Sequence, residues 1–164
     1  MPNREICVSK RIHASQQTVW AVLANYARDS EWRQGVEMRQ EPPGMAVTGA
    51  LTYEQLRFLG QTMRVVARIE EVEPGKRLVF QTIESDVPVR GERRVEALDD
   101  ETTLVAVNLS LRPSGVWALF AAPLAALLKR RFTRDLETLA AQLEARAPEA
   151  SSRSSRAWAA GART

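Results

Sequence analysis

Ile6-Cys7-Val8-Ser9-Lys10-Arg11-Ile12, running through Ala14-Ser15 into Val19-Trp20-Ala21-Val22-Leu23, is the stretch whose reading decides the fold. Ile6, Val8 and Ile12 fall on one side of a period-two pattern, as a half-buried strand requires. Ser15 then supplies a hydroxyl that can accept a free amide of the next turn, which marks a helix start. Val19, Trp20, Leu23 and Tyr26 recur at helical spacing, so that helix buries one face. A second helical piece spans Tyr26 to Trp32, and Gly35-Val36 returns the chain to strand.

Downstream the pattern is strand after strand. Val36–Glu41 is stopped by Pro42-Pro43-Gly44, and Val47–Phe58 turns near Leu59-Gly60-Gln61. Over Thr62–Val72, Met63, Val65, Ala67 and Ile69 alternate with Arg64, Val66, Arg68 and Glu70. Arg77–Glu84, Val89–Leu98 and Thr102–Leu111 follow, separated by short polar turns, which predicts an antiparallel meander. Arg112-Pro113-Ser114-Gly115 opens one long helix, with Ser114 as its cap and a stripe from Val116 and Phe120 through Leu124, Leu128 and Phe132 to Leu136. Pro123 inside that stripe predicts a bend. Residues 1–146 read as one domain, and the Ala-, Ser- and Arg-rich segment 147–164 as a disordered tail.

The order β-α-α-β₆-α predicts an α+β helix-grip fold, a seven-stranded antiparallel sheet wrapped around a long C-terminal helix. It resembles the START-like (SRPBCC) superfamily and, within it, the bacterial polyketide cyclase/dehydrase-like group. The residues that carry the likeness are Ile12-His13-Ala14-Ser15 leading to Val19-Trp20, then Trp32, Gly49, Glu73-Pro74-Gly75-Lys76-Arg77-Leu78, Thr103 and Pro113-Ser114-Gly115. The resemblance covers residues 4–145 and implies a cavity between sheet and helix. Its members include lipid and quinone carriers, receptors and cyclases of aromatic polyketides, so it implies a hydrophobic ligand and leaves its identity open. One departure is Lys10, where the family usually has an apolar residue.

Composition narrows the partners. The formal charge is +3 over 164 residues, and +2 of it lies in residues 148–164, so the domain itself carries +1 and no nucleic-acid partner is expected. A single cysteine, Cys7, excludes an internal disulfide and a cysteine-rich metal site, and the one histidine, His13, sits where the first strand meets the helix, which argues against a Ser/His or Cys/His triad; neither metal nor cofactor is expected. GxGxxG, P-loop, HExxH and GxSxG motifs are absent. Met1-Pro2-Asn3-Arg4-Glu5 has no apolar signal core, which predicts a cytoplasmic protein.

Several residues then stand as candidates for the cavity. Arg93 shares a strand face with Val89, Gly91, Val95 and Ala97, where a guanidinium needs a carboxylate, a wet cavity or a ligand. Lys10 raises the same question, and Tyr53, placed with Leu51 and Gly49, offers a hydroxyl. Trp20, Tyr26 and Trp32 crowd the two short helices, while Val65 and Val107 supply apolar wall from the strands. Trp117, Phe120 and Leu124 do so from the long helix, whose first turns are apolar all round. That surplus must be covered within the protomer, by a second copy or by a lipid surface, the last matching the adjacent Lys129-Arg130-Arg131 over residues 115–131. The preferred function is carriage of a hydrophobic small molecule. The alternative is a cyclase or dehydratase in which Arg93 or Lys10 stabilises an enolate and Tyr53 donates the proton.

Overall fold

The computed structural model describes residues 3–161, with side chains through 146. The segment 147–164, expected to be disordered, lies outside the described side chains. Strand β1 (Arg4–Ile12) leads into α1 (Gln16–Leu23), then a 3₁₀ turn (Tyr26–Arg28) and α2 (Asp29–Trp32). Six strands follow: β2 (Val36–Glu41), β3 (Leu51–Phe58), β4 (Gln61–Glu73), β5 (Arg77–Glu84), β6 (Val89–Ala97) and β7 (Thr103–Leu111). Helices α3 (Val116–Leu119) and α4 (Ala121–Gly161) complete the order. The seven strands form one antiparallel sheet in the order β1-β7-β6-β5-β4-β3-β2, so the first strand closes onto the last.

Local chemistry accounts for the elements. The Ser15 hydroxyl accepts the Thr18 amide at 3.2 Å and starts α1, which buries Val19, Val22 and Leu23. Alternation sends Ile6, Val8 and Ile12 of β1 and Val105, Val107, Leu109 and Leu111 of β7 inward. Leu124, Leu136, Leu139, Ala140 and Leu143 of α4 meet them there. Register shifts between Val66 and Ala67 and between Ile69 and Glu71 bend the long strand β4. This curvature lets the far half of the sheet rise around α4.

Two expectations fail at the C-terminal helix. Where one bent helix is predicted, there are two, because the chain breaks at Phe120 (φ −104°, ψ 12°). The first bond of α4 runs from the Leu124 amide to the Phe120 carbonyl at 2.9 Å, which places Pro123 in the first turn. There its missing N–H leaves nothing unpaired, so the proline starts a helix instead of kinking one. Ser114 is not the side-chain cap either: Gly115 takes that position, with φ 57°.

Candidate ligand cavity

Between the curved sheet and α4 lies a cavity of about 120 Å³. Leu128, Arg131 and Phe132 of α4 form its roof. The sheet contributes Leu56, Val65, Ala67, Phe80, Val107 and Leu109, a nearly continuous hydrocarbon wall. Thr52, Glu54, Thr82 and Ser85 add polar points, and Tyr26, Arg33 and Arg93 close the inner end. Phe80 can lie against the sheet because residue 91 is glycine: a Cβ there would come within 2.6 Å of Phe80 Cε1 and 2.8 Å of Leu109 Cδ2.

The inner end is built on a buried charge network. Arg93 donates from Nη1 to Asp29 Oδ1 at 2.9 Å and to the Leu23 carbonyl at 2.9 Å, and its Nη2 pairs with Asp29 Oδ2. Asp29, fully buried in α2, also accepts Arg33 Nη1 at 3.0 Å. Arg33 in turn grips Glu54 with both nitrogens, at 2.7 and 3.2 Å, and its Nε lies 3.9 Å from Asp135 of α4. Burial alone would lower the pKa of both guanidinium groups. The charges of Glu54 and Asp29 on Arg33, and of Asp29 on Arg93, override it and raise both. Two cations thus face Asp29 and Glu54 directly, and neither is free for an anionic ligand. The Arg93 guanidinium also lies 4.2 Å from the Tyr26 ring centroid and 5.5 Å from that of Trp32.

Four of the sequence candidates line the cavity: Tyr26, Val65, Arg93 and Val107. Trp32 stands behind Arg93, wholly buried, and Trp20 packs against both core clusters away from the cavity. Tyr53 points to the outer face instead, under the Arg39 guanidinium (4.3 Å), with its hydroxyl 3.3 Å from Glu41. The inward residues of β3 are Thr52, Glu54, Leu56 and Phe58, a polar-headed series that hides the true alternation. Lys10 sits half-buried on edge strand β1 and does not line the cavity. Among the last-helix candidates, Leu124 is core, Trp117 packs half-buried against it, and Phe120 is 54% exposed. None of these three lines the cavity: Trp117 and Phe120 lie on and just after α3, which the break at Phe120 separates from the roof, and Leu124 of α4 is spent in the core beneath it. Arg33 and Glu54 had no sequence signal; Leu128 and Phe132 lay in the readable stripe.

Arg131 belongs to two spaces at once. It roofs the cavity and also lines an open outer groove of about 440 Å³ with Arg57, Leu59, Leu127, Arg130 and Arg134. Its guanidinium donates to the backbone carbonyls of Arg57 (3.0 Å) and Gln34 (2.5 Å).

A sheet gripping a long helix over a mostly apolar cavity defines a helix-grip domain. The chain belongs to the family described as polyketide cyclase/dehydrase and lipid transport, whose model matches residues 4–144. Its fold is that of the ZhuI aromatase/cyclase from Streptomyces sp. R1128, at 18% identity and a TM-score of 0.76 over 89% of this chain and 96% of that one. A START superfamily protein from Mycobacterium smegmatis (14% identity, TM-score 0.62, 88% and 97% covered) has the same fold. So does DynU16, a putative protein of the dynemicin biosynthetic locus (21%, 0.63), 87% of this chain covering 48% of that one. No curated protein sequence gives a significant match.

Proposed function

We propose that the protein binds and carries a hydrophobic small molecule in this cavity. The observation that carries the reading is the hydrocarbon wall between sheet and helix, joined at its inner end to charges that are already paired with each other. Its 120 Å³ is close to the ~150 Å³ cavity that takes one benzene, so a single ring fits as it stands. A polycyclic or acyl ligand would lift the roof of α4. Cyclase chemistry would use the same cavity, and the family and the folds of ZhuI and DynU16 make it the alternative. Carriage is favoured because both inner guanidinium groups are held by carboxylates and no acid–base pair is left over. The test is native mass spectrometry of the purified protein beside Ala67→Phe, which fills a wall position that is 5% exposed. A copurifying hydrophobe should vanish in the variant while the fold persists; its retention would put the binding site elsewhere.

The finer partner is a lipid surface. Val116, Leu119 and Phe120 are 63%, 80% and 54% exposed, and the exposed Lys129 and Arg130 follow within three turns. Apolar side chains beside cations that no carboxylate pairs among the described residues suit an anionic membrane. Among the described residues no helix is long and apolar enough to cross one. Leu119→Ser with Phe120→Ser should abolish flotation with anionic vesicles. A loss of dimer in gel filtration, with flotation unchanged, would assign the patch to a second copy.

A further inference from the structure

Tyr26 holds a polar group that the fold leaves unanswered. Its side chain is 3% exposed, it lines the cavity, and among the described residues its hydroxyl has no hydrogen-bond partner. Buried hydroxyls are nearly always paired, and leaving one orphaned costs ~1–3 kcal/mol. The ring cannot swing away to find water. Arg93 lies over one face at 4.2 Å, and Phe80 meets it edge-on at 6.4 Å and 83°. Burial pushes the phenol up to about 12, so the proton stays on and the group is a donor near neutral pH.

The surroundings then select what it donates to. At the inner end Arg33 and Arg93 are neutralised by Glu54 and Asp29, so an anion there faces the Glu54 carboxylate with no free cation beside it; the third cation of the lining, Arg131, stands in the roof and is held by the carbonyls of Arg57 and Gln34. A pure hydrocarbon would leave the hydroxyl orphaned. We propose that Tyr26 is the hydrogen-bond donor of the binding site, and that the ligand presents a neutral carbonyl oxygen to the inner end of the cavity. This rests on the cavity being the ligand site. The ligand class narrows to ketones, quinones, lactones and esters, to the exclusion of free acids at that end.

Three single-ring probes of similar shape test it: acetophenone, α-methylstyrene, which replaces the carbonyl oxygen with a methylene, and benzoate. Amide-shift titration of the wild type by NMR should rank the ketone about fivefold above the alkene, one net hydrogen bond of ~1 kcal/mol, with benzoate not binding. Tyr26→Phe should bring the ketone down to the alkene and leave the alkene unchanged. The bound acetophenone carbonyl stretch, read by infrared on the wild type, should lie at lower wavenumber than that of the ketone in an alkane solvent, whether or not the variant folds. Equal binding of ketone and alkene, or a ketone indifferent to Tyr26→Phe, overturns the proposal while the cavity reading stands. If no probe binds, the cavity reading itself is overturned.

Discussion

Arg93→Met separates a guanidinium that holds the protein together from one that holds the ligand. The variant removes the paired bonds to Asp29 and the bond to the Leu23 carbonyl. Asp29 keeps one partner, Arg33 Nη1 at 3.0 Å, but that guanidinium already serves Glu54 and faces Asp135. The interior therefore goes from balanced to net negative at a fully buried carboxylate. Breaking one side of a buried pair costs ~3–5 kcal/mol, and the surviving Arg33 contact favours the lower end, ~3 kcal/mol. For a chain of this length that is a fall in Tm of roughly 6–12 °C. Thermal and urea unfolding of Arg93→Met, Asp29→Asn and the double variant give the assay. The pair should be coupled, the double variant losing less than the two single losses added together by ~1–3 kcal/mol. Affinity for a neutral probe should change little, since the guanidinium is committed to Asp29. Additive losses, or intact stability with a tenfold weaker probe, would refute the reasoning and give Arg93 to the ligand.

Gly91→Ala should drive the Phe80 ring off the sheet and into the cavity, costing ~1–3 kcal/mol by overpacking and abolishing probe binding. Adding Phe80→Leu should restore both, and failure to do so would show that the clash lies with Leu109. Asp135→Asn concerns pH. Burial holds that carboxyl above the usual carboxylate range, with Arg33 opposing, so the folded chain keeps a proton that the unfolded chain has already released. Stability from this group is present below the unfolded pKa and is lost as pH rises through the folded one. The variant should match or exceed the wild-type Tm at neutral pH and flatten the decline above about pH 4; a marked loss at neutral pH would show that the Arg33 contact dominates.

The architecture could be read because its signals are local. Pro42-Pro43-Gly44 and Pro74-Gly75 are turn signals in the chain itself, and the ends of β2 and β5 fall where the sequence puts them. The inward register of Arg93 was legible from Gly91 and Val95 on either side. Its partner was not. Asp29 opens a four-residue helix, where an acid reads as punctuation, and only the tertiary fold brings it to β6. Strand β3 defeated the same alternation rule that worked for β6, since the cavity needs Thr52 and Glu54 inside and leaves Tyr53 outside. Polar side chains turned into an otherwise apolar cavity invert the pattern on which strand reading depends, so the site is less legible than the scaffold.

The partition formed by Arg131 sets how fast the cavity can exchange its contents. It is one side chain, anchored by two bonds to backbone carbonyls, and those bonds are the hydrogen bonds a rotation of it has to break. Side-chain rotation takes picoseconds to nanoseconds, whereas displacing a packed helix takes microseconds to milliseconds. A guest narrow enough to pass a rotated Arg131 into the arginine-lined groove escapes at a rate set by its own affinity. A wider one must wait for α4 to shift, and its residence time is set by the protein. Two ligands of equal affinity would therefore leave at different rates, and the wider would be the one retained long enough to be carried.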